Sequence, residues 1–156
     1  FQKNISFLTQ KSYLFDDNIL NNITLNQKVD KKKLNFVLNF VNFKKRFKNK
    51  NLKSQVGMDG AYLSGGQIQT IAFARSLYKN FDILILDEFS NNLDQAFEKE
   101  LLKKIKLLKT KNKKTIIMVT HNFNSLKICD EIIVISGGAI KEKLNYKTFL
   151  SKYILI

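Results

Sequence analysis

The 156-residue sequence has no proline and no tryptophan, one cysteine, one histidine and six glycines. With Cys129 alone, no disulfide can form within the chain. With His121 equally alone, a zinc set of histidines and cysteines is excluded. No run approaches the ~18 consecutive apolar residues of a membrane-spanning helix. The start, Phe1-Gln2-Lys3-Asn4, carries neither a methionine nor the apolar segment of a secretory signal, and suggests a fragment. Acidic residues are also scarce, 13 against 27 basic ones, for a formal charge of +14. That balance invites a nucleic-acid reading. Only Arg46 and Arg75 are arginines, however, and lysine lacks the planar fork suited to phosphate and base contacts. The lysines are spread over several segments and accompany abundant Asn, Ile and Phe, which reads as a compositional bias with a solvated surface. No nucleic acid is expected as a partner; a membrane-facing contribution of the basic surface stays open.

What the chain does have is 44% apolar residues, enough for a core in about one domain at this length. Its most informative stretch is Leu63-Ser64-Gly65-Gly66-Gln67. A serine followed by two glycines opens a helix whose first N–H groups stay uncovered at the positive end of the dipole, an arrangement that cradles phosphate. Thirteen residues past Gln67 begins Asn80-Phe81-Asp82-Ile83-Leu84-Ile85-Leu86-Asp87-Glu88. Residues 83–86 are wholly apolar, the pattern of a buried parallel strand, and ligands in open α/β sheets bind just beyond the carboxyl ends of such strands. Of the two carboxylates that follow, one suits a Mg²⁺ and the next can act as a base on water.

The pentapeptide, a helix containing Ala72-Phe73-Ala74-Arg75, the apolar strand and Asp-Glu, in this order, resemble the ATP-binding cassette (ABC) family. Residues 63–67 match its signature loop and residues 83–88 its Walker B strand. Residues 10–23, from Gln10-Lys11-Ser12-Tyr13 onward, are similar to the Q-loop, whose glutamine in that family reaches Mg²⁺ and the attacking water. Phe89-Ser90-Asn91-Asn92-Leu93-Asp94 resembles the D-loop, and Thr120-His121-Asn122 after an apolar strand resembles the H-loop, whose histidine bonds the γ-phosphate. Val56-Gly57-Met58-Asp59-Gly60 is similar to the X-loop of exporters, with Met58 where a glutamate is usual. Thr70 departs in the same way, standing where the family usually carries a basic residue.

The resemblance implies an α/β fold: a P-loop NTPase (RecA-like) parallel sheet core with an inserted α-helical subdomain, truncated at its N-terminus. Parallel strands are expected at residues 5–8, 83–86, 115–120 and 132–135. Residues 1–10 are the end of a core strand and the glutamine, 11–62 the helical subdomain, 63–78 the signature loop and helix, and 79–156 the rest of the core. Locally, Asp17 is expected to cap a helix starting near Asn18, and Asp94 to cap another over 95–108. Leu34, Val37, Leu38 and Val41 recur at helical spacing and place a helix over 30–43, with Phe36, Phe40 and Phe43 as a second apolar row. Residues 44–53 read as an exposed loop, Cys129 as a small buried hydrophobe and Arg75 as structural. A hairpin through Gly137-Gly138 and a final helix over 146–153 close the chain.

In that family two cassettes pair head to tail around two ATP molecules. The resemblance therefore implies ATP and Mg²⁺ as cofactors, Asp87 and Gln10 as metal ligands, and Glu88 as the base, with His121 and Gln10 completing the catalytic set. Ser64, Gly65, Gly66, Gln67 and Asp94 would contact nucleotide held by the second cassette. A transmembrane domain, in the same or a separate chain, is the other implied partner, which places the protein at the cytoplasmic face of the inner membrane. A phosphate loop of the form G-x-x-x-x-G-K-[ST] is not present: Gly60 and Gly65 have its spacing, but Gly66-Gln67 follow instead of Lys-Ser. An adenine-stacking aromatic upstream of that loop is missing too, so the match covers the later two-thirds of the cassette and the chain by itself is expected to bind ATP poorly. Only 53 residues separate Gln10 from Ser64, without a sustained heptad. That interval favours an exporter or flippase module over a DNA-repair or chromosome-type ATPase. A soluble translation-factor cassette, or a non-hydrolysing truncated cassette that pairs with an intact partner, stands as a further alternative.

Overall fold

In the computed structural model, which describes residues 4–154, the runs Ile5–Leu8 (β1), Ile83–Asp87 (β2) and Thr115–Val119 (β3) pair as a parallel sheet with β2 at its centre. Leu8, Leu86 and Met118 share one row of the register, and Phe7, Ile85 and Ile117 the next. Successive side chains point to opposite faces of a sheet. Ser6, Leu8, Leu84 and Leu86 are buried, whereas Phe7, Ile117 and Val119 on the other face are 51%, 48% and 50% exposed. The expectation of strands buried on both faces is thus corrected. An all-apolar run of four or five residues does not record which face is covered, and here helix packing reaches one side, where Ser6 Oγ donates to Ser76 O at 2.6 Å.

That packing helix is Gly65–Tyr78 (α4). It contacts β1 and two helices of the layer between β1 and the signature loop, Ile19–Thr24 (α1) and Lys31–Phe40 (α2). Ile71, Ala72, Phe73, Ala74, Leu77 and Tyr78 are all buried, as expected of a helix enclosed on most sides. Arg75 behaves as a structural clamp: Nε donates to Asn22 O at 2.7 Å, Nη1 to Tyr13 O at 2.9 Å and Nη2 to Asn22 Oδ1 at 2.9 Å.

Four local expectations shift. The cap of α1 is Asn18, whose Oδ1 accepts from Asn21 N at 2.9 Å; Asp17 sits one place earlier and accepts from Asn18 N at 2.6 Å. The helix expected over 30–43 stops at Phe40, because Asn42 adopts φ 52°, a left-handed conformation that asparagine tolerates, before Phe43–Arg46 (α3) begins. Phe40 and Phe43 are buried but Phe36 is exposed. Residues 44–53 are therefore not simply an exposed loop: they hold most of α3 and the buried Phe47, stacked on Phe43 at 4.5 Å. A 3₁₀ turn, Met58–Gly60, then leads to α4. After β2, the helix Gln95–Asn112 (α5) runs longer than expected and buries Phe97, Leu101, Leu102, Ile105 and Leu108.

The chain divides after Val119 into two compact units. Beyond it lie Phe123–Leu126 (α6), Ile132–Ser136 (β4), Ala139–Leu144 (β5) and Tyr146–Tyr153 (α7). The expected hairpin forms, with Gly137 and Gly138 both at positive φ, the geometry that matches strand twist in a two-residue turn. Residues 132–135 do not join the parallel sheet: among the described residues β4 pairs with β5 alone, in a separate antiparallel ribbon. The tight turn returns the chain alongside β4 and determines that partner. Phe149 of α7 packs between Phe123 and Tyr153, at 5.7 and 5.2 Å. Cys129 is only half-buried, with Sγ 3.7 Å from Ser125 O. No helix among the described residues is long and apolar enough to cross a membrane.

The two faces of the sheet should respond differently to truncation. Leu84→Ala, at a fully buried position, should cost about 3 kcal/mol in urea unfolding, and Ile117→Ala under about 1 kcal/mol. Equal losses would show that both faces are packed.

Candidate active site

The carboxyl end of β2 brings the expected acidic pair to the edge of the sheet. Asp87 is the last strand residue, in register with Val119. Glu88 leaves the strand at φ 45°, a left-handed conformation that costs a non-glycine residue about 1 kcal/mol. Its N–H still bonds Val119 O at 2.9 Å, so the turn is anchored to β3 while the side chain is redirected. Glu88 Oε2 accepts from Gln10 Nε2 and from Asn91 Nδ2, both at 2.5 Å. The structure thus joins Gln10, beyond β1, to Glu88, beyond β2.

Asn91 was not among the expected site residues. Its one sequence signal is its offset, three residues after Glu88 in a turn, where its own N–H also reaches Glu88 O at 3.3 Å. Gln69 was missed as well. It is buried inside α4, accepts from Ser12 Oγ at 3.1 Å and donates to Phe89 O at 3.2 Å, linking the loop after β1 to the loop after β2. Helical position alone gives no hint of this bridge.

The signature loop forms the N-terminus of α4. Ser64 and Gln67 make a capping box: Gln67 N donates to Ser64 Oγ at 3.3 Å, and Ser64 N to Gln67 Oε1 at 3.1 Å. Helix geometry leaves the N–H groups of Gly65 and Gly66 directed out of the helix end. Such a capped helix start presents uncovered N–H groups of the kind that bind anions elsewhere. Gly66 lies against the turn after β2: a Cβ there would come within 2.9 Å of Asn92 O, so the side-chain-free residue permits the approach. In the same turn Asp94 caps α5 as expected, accepting from Phe97 N at 2.9 Å through Oδ1, while Oδ2 accepts from Arg46 Nη1 at 2.8 Å.

Asp87 and the Gln10 side-chain oxygen are hard donors of the kind Mg²⁺ prefers. Among the described residues no group of three or more His, Cys, Asp or Glu could hold a metal, so an ion here would complete its shell from phosphate and water. His121 is exposed and belongs to the second unit, next to Thr120, whose Oγ1 accepts from Asn122 N at 3.0 Å. In the X-loop-like segment Met58 is exposed and Asp59 is exposed at φ 51°. A groove of about 1120 Å³, walled by Leu38, Phe43, Phe47 and several lysines, contains none of the expected site residues.

The hydrogen bond from Arg46, then that from the Phe97 N–H, hold the Asp94 carboxyl below the usual aspartate range. A carboxylate with a lowered native pKa stabilises the fold above its unfolded value, about 3.9, and loses that contribution as pH falls through the lowered value. Wild type should therefore lose more stability between pH 5 and pH 2.5 than Asp94→Asn, which keeps a cap acceptor without the charge; chemical unfolding at each pH measures this. Parallel curves would show that the ion pair contributes nothing.

The model of the family described as ABC transporter matches residues 1–91, more than half of the chain. A multidrug resistance-like ATP-binding protein, MdlA, of Buchnera aphidicola is 36% identical over 155 residues, covering 97% of this chain and 26% of that protein. An ATP-dependent lipid A-core flippase of Pasteurella multocida is 34% identical over 158 residues, covering 96% and 26%. The chain thus spans about a quarter of the length of these curated relatives. The structure of a bacterial Atm1-family ABC exporter with ATP bound superposes with a TM-score of 0.88 over 97% of this chain, at 24% identity, which speaks for the fold. The signature loop, the strand with its acidic pair and the family match agree: this chain belongs to the ABC transporter family.

Proposed function

We propose that the chain is the later part of the ATP-hydrolysing cassette of an exporter or flippase, working at the cytoplasmic face of the inner membrane against a transmembrane domain and a second cassette. The observation that carries this reading is the grip of Gln10 and Asn91 on Glu88 at the carboxyl end of the central strand. A carboxylate aimed by two amides, in a turn tied to β3, suits proton acceptance from water, which supports the reading. In this reading residues 1–10 and 79–156 belong to the nucleotide-binding core, 11–62 to the helical subdomain and 63–78 to the signature element. The names of the relatives, a multidrug resistance-like protein and a lipid A-core flippase, support export or flipping as the transport direction.

Asp87 and Gln10 are the residues that would hold a Mg²⁺, which would supply positive charge to offset that of the nucleotide phosphates. Glu88 orients the attacking water and takes its proton. His121 donates a hydrogen bond toward the γ-phosphate. The N–H groups of Gly65 and Gly66, with the Ser64 hydroxyl, reach the nucleotide held by the other cassette, and Gln67 and Asp94 keep that loop and its neighbour in place. Because none of the six glycines opens a G-x-x-x-x-G-K-[ST] segment, these 156 residues alone hold nucleotide weakly.

Glu88→Gln in the assembled transporter should lower ATP turnover at least about 100-fold while ATP binding persists. Normal turnover would remove Glu88 as the base. Titration of the isolated 156-residue chain with ATP and Mg²⁺ should show no saturation below millimolar concentration; micromolar affinity would mean that the chain holds a phosphate site of its own.

A further inference from the structure

Arg46 ends α3, far in sequence from both loops that would meet the partner's nucleotide, yet it touches both. Its main-chain O accepts from Gln67 Nε2 at 3.1 Å, inside the signature loop. Its side chain then passes the first turn of α4: Nε donates to Thr70 Oγ1 at 3.1 Å, and that hydroxyl donates on to Gly66 O at 2.6 Å. Nη1 reaches Asp94 Oδ2 at 2.8 Å, at the end of the D-loop. The guanidinium lies 4.0 Å over the Phe97 ring, and a Cβ on Gly66 would sit 3.1 Å from Nη2. An exposed ion pair contributes little by itself, but the Arg46 side chain is only 16% exposed, and its plane is held by a ring, a hydroxyl and a carboxylate at once. Lysine, a point charge on a flexible stem, cannot satisfy that set.

We infer that Arg46 is a positioning residue that locks the signature loop to the D-loop, so that Ser64, Gly65 and Gly66 move together with residues 92–94. The inference rests on the proposed ATPase reading for its consequence in turnover, because both loops act there across the cassette pair. Thr70 is the relay of the lock: it joins the arginine to the carbonyl of Gly66 without itself facing nucleotide. If the two loops drift apart, one can meet the partner's nucleotide only while the other is displaced, and misplacement on the ångström scale is costly in rate.

The test combines steady-state ATP turnover of the assembled transporter with amide hydrogen exchange, for wild type, Arg46→Ala, Arg46→Lys, Thr70→Val and the double variant Arg46→Ala/Thr70→Val. Arg46→Ala should lower kcat about tenfold with KM changed less than about twofold, and Arg46→Lys should recover only part of the loss. Thr70→Val should act in the same direction, and the double variant should be no slower than Arg46→Ala, since the two side chains form one link. Exchange at residues 91–94 should quicken in Arg46→Ala while the middle of α5 stays protected. Unchanged turnover and exchange in Arg46→Ala, or additive losses in the double variant, would overturn the lock. Should Arg46→Ala fail to fold, Thr70→Val decides by the same two measurements. A wild-type assembly that does not hydrolyse ATP removes the functional reading instead, and exchange at residues 91–94 then decides the lock alone.

Discussion

The enclosure of α4 is the constraint on which the first unit depends. One helix receives Ser6 from β1, Ser12 from the loop after it, Asn22 from α1, Phe40 from α2 and Phe89 from the turn after β2. Its own first turn is the signature loop. Ala72 and Ala74 keep the surface low enough for these neighbours to approach, and Gln69 and Arg75 satisfy backbone carbonyls that would otherwise lose water on burial. A shift of α4 would therefore move the glycine amides, the Q-loop segment and the acidic turn together. Energetically the helix is a core element, and geometrically it is the frame for loops from three parts of the chain.

Much of the site could be read from the residues because its elements carry local chemical signatures. Ser64 followed by Gly65, Gly66 and Gln67 specifies a capped helix start, and Asp94 before a helical run specifies another. Strands expected at 5–8, 83–86 and 115–120 from short apolar runs between turn residues lie within one residue of the observed bounds. What those runs do not encode is coverage, and so the open face carrying Phe7, Ile117 and Val119 appears only in three dimensions. The break at Asn42 was equally hidden, since the apolar row of Phe36, Phe40 and Phe43 continues through it while the backbone turns left-handed at one residue. Long-range partners leave no local trace: nothing near Arg46 indicates Asp94, and nothing near Gln10 indicates Glu88.

Charge is distributed with some economy around the candidate site. The chain carries 27 basic residues against 13 acidic ones, and at Glu88 two of the contacts come from amides, those of Gln10 and Asn91. Amides orient a carboxylate without adding a formal charge next to it. The cation used nearby, Arg46, is directed at Asp94, whose role is structural in the helix cap as well as in the loop. Lysines instead serve the periphery, as where Lys104 Nζ donates to Asn39 O, Phe40 O and Asn42 Oδ1 and so closes the carboxyl end of α2.

The backbone at Glu88 carries a conformational cost. At φ 45° the position is one that glycine occupies with less strain. Glycine there would relieve the strain and lose the carboxylate. A glutamate held at this φ costs about 1 kcal/mol that glycine would not, and on the proposed reading that strain is set against the placement of a carboxylate at the end of β2.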